Sequence, residues 1–452
     1  MAMAGQLEFG GAPEPTPQAI PAVAEKQIVE VRPSNKRTNR VRLLPRGSAE
    51  RKLKKLGDLF AKAFNELNYM RRRQLFSGQR IDFEGTAKAV YEKYKSIIGS
   101  ASVQQLINRN TEAWLSFFSL LKAKKEGRLP SWFRVKPPGY MKENKRRRLL
   151  LVIRNDGYAV DEKNRIIILR HFKLRIPFAG RLQWYGKQGR LEIYYDETKQ
   201  AWYASIPVEV GVEAKRNVVK GERKEVQREK PKGNKRASID LGINVLASVI
   251  VSDGTWLLYK GSRAKEDFFY MQRRISEIRS LEDRARNLKL SEWAEELRLE
   301  RRRLEGRLSR RIAHLYRTLA SHLIEKLWEL GVSALYIGYP YEIAQDKGNK
   351  LTENLWSYRE LMDAIELEAQ EYGMKVYEVI EHNTSRLCAY HGVEVIRSPR
   401  GVIRCPLGHK LHSDLNGALN ILRKAAGLLV QSAAKPLSYI VMHSGVAPVK
   451  GE

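Results

Sequence analysis

The chain has 452 residues, enough for one to three domains with a sizeable buried core. Its 82 Lys and Arg against 51 Asp and Glu give a formal net charge of +31, which points to a polyanionic partner because self-repulsion on that scale is costly unless neutralised. No apolar run reaches membrane-spanning length, no basic-then-apolar leader opens the chain, and the only cysteines are Cys388 and Cys405; the expectation is a cytoplasmic protein without a disulfide framework.

Residues 1–34 are rich in Pro, Ala, Gly and Gln and read as a flexible tail. A helix is predicted from Ser48 to Phe76, with Leu53, Leu56, Phe60, Phe64 and Leu67 at helical spacing, Ser48 as its cap and Arg71, Arg72 and Arg73 as a basic end. Further helices are predicted over 84–98 and 102–126, closed by Pro130 and Pro137-Pro138-Gly139. From 147 to 210 the pattern turns to short strands separated by turn residues such as Asn155-Asp156-Gly157, which suggests a small barrel. Residues 213–236 have almost no apolar content and read as a solvated basic linker, either plain charged surface or a nucleic-acid contact. An α/β pattern follows, with strands at 237–240, 245–251 and 255–259 and long charged helices over 265–330. A strand at 334–338, an amphipathic helix on Leu361, Ile365, Ala369 and Tyr372, and a strand at 374–380 complete it. The Arg301-Arg302-Arg303, Arg310-Arg311 and Arg317 run makes this one of the most basic stretches; it reads as a helical hairpin inserted in an α/β domain, with a salt-bridged solvent-exposed pair as the bland alternative.

Three local motifs bear on chemistry. In Ser238-Ile239-Asp240-Leu241-Gly242 an Asp ends a hydrophobic strand and precedes Gly, where RNase H-like folds place a first metal ligand; a buried carboxylate there needs a cation or a partner. Cys388-x2-His391 and Cys405-x3-His409, separated by a β-like ribbon, suit a closed tetrahedral zinc site, with His412 as a substitute ligand and packed thiols as the bland reading. In His412-Ser413-Asp414-Leu415-Asn416-Gly417-Ala418, Ser413 or Asp414 can cap a helix, and an Asp on that first turn can also reach a metal site.

In this order the motifs resemble the TnpB family, transposon-associated relatives of type V CRISPR effectors. The similarity also takes in Leu129-Pro130-Ser131-Trp132-Phe133, the stretch Lys199 to Ile206, and Asn383-Thr384-Ser385-Arg386-Leu387-Cys388. The resemblance implies an α/β RNase H-like (RuvC) nuclease core at 237–387 with a helical insertion at 265–330, a zinc ribbon at 388–410 and a C-terminal helix at 411–425. Ahead of the 213–236 linker it implies a small β-barrel (wedge), first strand 35–47 and remainder 131–212, with an inserted helical recognition domain at 48–130; residues 426–452 are left as a tail. It implies an RNA-guided DNA endonuclease with guide RNA and target DNA as partners. Asp240, Glu381 and Asp414 would hold Mg2+ or Mn2+, and Cys388, His391, Cys405 and His409 would hold Zn2+.

The family's usual second carboxylate falls here on Gly338, which cannot bind metal. A Glu moved to the end of the next strand, Glu381, is the expected replacement; Glu378 should face the other side of the sheet, and Glu342 and Asp346 lie outside the strand. The alternatives are an RNA-guided DNA-binding protein that does not cut, or a compact type V effector; a DNA-joining transposase leaves the guide-binding architecture unexplained. Trp132, Trp184, Trp202 and Tyr203 are available for base stacking, with core packing the expected role.

Overall fold

The first strand, β1 (Ile28–Glu30), belongs to a sheet completed only at the far end of the chain, and the next, β2 (Lys36–Leu43), to a different one. The structure, a computed structural model, describes residues 28–127, 129, 133–141, 150–220, 223–339, 358–380, 386–399, 401–428, 430 and 433–449.

Three helices, α1 (Ser48–Phe76), α2 (Phe83–Ile98) and α3 (Ser100–Lys125), interrupt the first sheet after β2. Asp82 caps α2, its Oδ1 accepting from Gly85 N at 2.8 Å. At α1 the cap position is Gly47 and not Ser48, with no side-chain cap bond. Arg71 also departs from the expected basic surface: it is fully buried, donates to Asn110 Oδ1 at 2.8 Å and Thr86 Oγ1 at 3.1 Å, and burial pulls its pKa down to about 10.

The sheet resumes as β3 (Leu150–Ile153), β4 (Tyr158–Asp161), β5 (Ile166–Leu169), β6 (Leu174–Ala179), β7 (Gly186–Gln188), β8 (Leu191–Asp196), β9 (Ala201–Val210) and β10 (Val218–Val219). Alternation in β2 and β9 buries every second side chain, so both strands turn one face to the core. The order is β10-β7-β9-β2-β6-β5-β4, with β3 and β8 branching from β9. The sheet curls until its ends meet: Gln188 Nε2 donates to Tyr158 O at 3.1 Å and Tyr158 Oη to Gly189 O at 3.0 Å. Trp184 and Trp202 are buried in this core, as expected, while Tyr203 lies half-buried between Arg40 and Lys199. Trp132 lies outside the described residues.

The second sheet contains β11 (Lys235–Asp240), β12 (Val245–Val251), β13 (Trp256–Lys260), β14 (Val332–Tyr339) and β15 (Lys375–Ile380). β18 (Leu437–Met442) and β19 (Gly445–Pro448) extend it, in the order β1-β15-β14-β11-β12-β13-β18-β19. Two tail readings are thereby corrected. Residues 28–30 pair antiparallel with β15 at one edge, and residues 437–448 add a hairpin at the other. Composition hid both, because one short apolar run among polar residues becomes a strand only when a sheet edge needs covering.

Helices α4 (Ser262–Asn287) and α5 (Ser291–Glu329) form an antiparallel hairpin, and with α6 (Tyr358–Glu371) they cover one face of this sheet. Buried Glu282 accepts from Arg301 Nε at 2.7 Å, and Asp267 pairs with Arg311, so part of the arginine run is internal salt bridging. Arg303, Arg307, Arg310 and Arg317 are exposed.

The basic linker is not a free loop. Arg223 and Arg228 reach Glu371 of α6 at 2.7 and 2.8 Å, the Arg223 guanidinium lies 4.1 Å over Trp184, and Lys232 Nζ lies 3.4 Å over Trp328. Among the described residues no helix is long and apolar enough to cross a membrane.

Candidate active site and metal cluster

Between β15 and β18 lie a two-stranded ribbon, β16 (Val402–Arg404) and β17 (Lys410–His412), and α7 (Ser413–Ala426). α7 covers the other face of the second sheet, where Leu415, Ala418, Leu419 and Leu422 pack on Ile250, Trp256, Leu258, Tyr336 and Val379. Because side chains alternate along β11, Ile239 points to α5 and both Ser238 and Asp240 point to α7. Ser238 Oγ donates to Ala418 O at 2.6 Å.

Asp240 ends β11 directly against the α7 backbone. A methyl group added at Gly417 would overlap Asp240 Oδ2 and stand 2.9 Å from its Cγ. Glycine is required there by approach, not by dihedral angle. Asp414, half-buried like Asp240, lies three residues before Gly417, in the first turn of the same helix. The cap of α7 is neither Ser413 nor Asp414: His412 Nδ1 accepts from Asp414 N at 3.3 Å. That role accounts for His412 without ligation.

Parallel register continues the site across the sheet. Ile239 pairs with Ile337, and Gly338 pairs with Val379, so Asp240, Gly338 and Val379 stand at one level on three adjacent strands. Glu381, Glu342 and Asp346 lie outside the described residues. Glu378 lies on the opposite face, as alternation requires, where Arg359 of α6 holds it together with Glu366 and Asp363. Burial pushes the Glu366 carboxyl up to about 7, with Arg359 opposing and Glu378 adding to the rise. Sequence reasoning missed this second carboxylate cluster; its signal is the Arg359/Asp363/Glu366 spacing along one helix face.

Cys388, His391 and His409 offer ligand atoms that all lie within 4.8 Å of one another, and Cys405 adjoins this group through His391. Cys388 Sγ lies 3.7 Å from His409 Nδ1, Cys405 Sγ lies 3.3 Å from His391 Nδ1, and the two imidazoles stack with centroids 4.5 Å apart. A tetrahedral ion with sulfur and nitrogen ligands at zinc-like bond lengths separates them by about 3.6 Å, so the donors fit. Cys388 and Cys405 are buried. Leu407 N donates to Cys405 Sγ at 3.4 Å. Burial pushes the Cys388 thiol up, with neighbouring Cys405 adding to the rise; a bound cation reverses that logic.

Asn416 joins this cluster to the carboxylates. Fully buried, it accepts from Ala389 N at 2.9 Å and donates to Leu387 O at 2.8 Å, so the residues flanking Cys388 are anchored to α7 between Asp414 and Gly417. Arg423 Nη1 donates to Ala389 O at 2.7 Å and Lys424 Nζ to Ile380 O at 2.9 Å, tying the same helix to the ribbon and to the end of β15.

Residues 358–421, spanning this helix and ribbon, match the family model "Cas12f1-like, TNB domain", and residues 205–344 match OrfB_IS605, described as "Probable transposase". The TnpB-like protein ORF457 of Acidianus two-tailed virus is 59% identical over 448 residues, 98% of each chain. This chain belongs to the TnpB-like family. Among solved structures, a Cas12f1–sgRNA–target DNA complex aligns over 84% of this TnpB-like chain and 82% of the other, at 14% identity and a TM-score of 0.46. A CRISPR-Cas12f ternary complex aligns over 82% and 80%, at 13% identity and a TM-score of 0.33.

Proposed function

We propose that this TnpB-like chain is an RNA-guided DNA endonuclease that hydrolyses DNA phosphodiesters through Asp240, Glu381 and Asp414, with guide RNA and target DNA as partners. The observation that carries the reading is Asp240 at the end of a central strand, pressed on Gly417 one turn from Asp414. Glu381 follows Ile380, the last residue of β15, and Val379 at the level of Asp240 packs toward α7. Hard oxygen donors of this kind suit magnesium or manganese. Such ions, held by Asp240, Glu381 and Asp414, would supply activation of a water and neutralisation of charge on the leaving oxygen in phosphodiester hydrolysis. The chain's own part is to fix the carboxylates on rigid elements: Ser238 and Gly417 lock α7 to β11, and the Cys/His cluster, read as closed structural zinc, locks the ribbon to α7 through Asn416. The excess of positive charge suits the phosphates of a guide RNA and a guide–target duplex. Base pairing would then read the target and the protein a short adjacent motif.

Gly338 beside Asp240 favours one other reading, guided DNA binding without cleavage. Protein purified with co-expressed flanking RNA, offered plasmid libraries and magnesium, separates the two. The endonuclease reading expects cutting that Asp240→Ala and Glu381→Ala abolish while binding persists. Normal cutting by Glu381→Ala removes that residue from the site, and binding with no cutting by the wild type leaves the second reading. Metal analysis should find about one zinc per chain, lost in Cys405→Ser; none in the wild type rejects the zinc assignment.

A further inference from the structure

The hairpin of α4 and α5 ends in a turn that carries apolar side chains into solvent. Leu281, Leu288, Leu290 and Trp293 are all exposed, Leu288 to 61%. Leu281, Arg284 and Leu288 stand at i, i+3 and i+7, along one stripe of α4 and its end, and Trp293 lies in the first turn of α5. The distal core of the hairpin is filled without them, by Ile278, Ala285, Ala294 and Leu297. The tip also stands off from the small barrel: Arg302, which reaches Glu197 of the barrel at 3.6 Å, lies about 16 Å of helix beyond Ser291.

Charge at this tip departs from the rest of the chain. Bases exceed acids by 31 overall, yet from 281 to 296 the exposed charges are four acids and three bases. A polyanion gains little on such a surface, so the tip is not fitted to nucleic acid. The charges are also sorted. Arg284 stands on α4 and Lys289 in the turn, whereas Glu292 and Glu296 stand one helical turn apart on α5. None of these four has an ion pair among the described residues, although their neighbours Arg286 and Glu295 are paired within the hairpin.

An apolar centre with free cations on one flank and free carboxylates on the other is its own complement under a two-fold rotation, which sets the α4 flank of one copy on the α5 flank of the other. Two chains of this net charge repel, but the stand-off of the tip is about two screening lengths, each roughly 8 Å at physiological ionic strength. We propose that the tip of the α4–α5 hairpin is a self-association surface, on which two copies of this chain pair two-fold. Leu288 and Trp293 form its centre, and Arg284 and Lys289 face Glu292 and Glu296 of the other copy. A two-helix tip falls at the small end of specific interfaces, so the pairing is of micromolar order. It stands whether or not the protein cuts DNA.

The test is sedimentation velocity on the full chain with its co-purified RNA, over about 0.5 to 50 μM, where the wild type should pass from monomer to dimer. Trp293→Ala should weaken pairing about tenfold, and Leu288→Asp should abolish it, both without change in melting temperature because the side chains are exposed. The double variants Arg284→Glu with Lys289→Glu, and Glu292→Lys with Glu296→Lys, should each be monomeric. An equal mixture of the two should pair again, since each tip then meets its opposite. A wild type that stays monomeric throughout overturns the proposal, whether the tip then binds nucleic acid, another protein or nothing. So does a dimer that Trp293→Ala and both double variants leave intact, which would be joined elsewhere or through RNA. A mixture of the double variants that stays monomeric overturns the two-fold pairing.

Discussion

On the face of the second sheet covered by α4, α5 and α6, β11, β14 and β15 contribute Ile239, Leu335 and Val376 to an apolar core; on the face covered by α7, β11 presents Ser238 and Asp240 and β12 presents Ser248. Both faces carry carboxylates, handled differently. Behind β15, Asp363, Glu366 and Glu378 share Arg359, so their charge is answered inside the protein. In front, Asp240 and Asp414 are brought to one end of a helix by glycine and serine contacts. The rear face answers its acidic groups with a shared arginine, whereas the front face sets Asp240 against the α7 backbone beside an apolar core of its own.

The contrast breaks most sharply at Gly417. Alanine in a helix interior ordinarily gains up to about 1 kcal/mol over glycine, but here its methyl overlaps Asp240. Gly417→Ala should cut plasmid cleavage by about a hundredfold or more, with little or no gain in melting temperature. Unimpaired cleavage would show that the position of Asp240 does not matter.

The rear cluster should answer to pH instead. Folding raises the Glu366 carboxyl from its ordinary 4.5 to about 7, chiefly by burial, so the native state binds the extra proton between those values. Stability from this group is therefore present below about pH 4.5 and lost as pH rises through 7. Glu366→Gln should flatten that slope and stabilise the protein at pH 8 by on the order of 2 kcal/mol, read from denaturant melts at several pH values. An unchanged slope would place the titration elsewhere.

Asn416→Ala strips the buried Ala389 N–H of its acceptor, whereas Leu387 O keeps a donor in Asn420. The expected cost is about 2 kcal/mol, with faster loss of the bound metal to a chelator. Ser238→Ala, which removes one buried hydroxyl donor, should cost about 1 kcal/mol in the same melts. If it instead matched Gly417→Ala in cleavage, the hydroxyl would be positioning the carboxylate.

Periodicity made the helices over 48–76 and 84–98 and the strands at 245–251 and 334–338 legible, because each repeats its apolar spacing over several residues. A Cys/His cluster was legible too: Cys388, His391 and His409 gather as their types and spacing suggest, with Cys405 beside His391. What escaped was long-range. Glu371 capturing Arg223 and Arg228, Arg71 buried among Asn110 and Thr86, and the hairpin of residues 437–448 all depend on partners far along the chain. Asp240 and Asp414 stand in recognisable motifs, but the close approach of Asp240 to Gly417 is a fact of packing that no local window contains.

The pairing of Ile28–Glu30 with β15 sets an order for synthesis. The curled sheet is complete once Val219 has left the ribosome, whereas β1, made before any of it, waits for residues 375–380. Domains tend to fold as units from the N-terminus, so β1 finds its partner only after the curled sheet that follows it can have formed. Synthesis through β15 and α7, and not assembly of the curled sheet, is then the step after which the candidate active site can form.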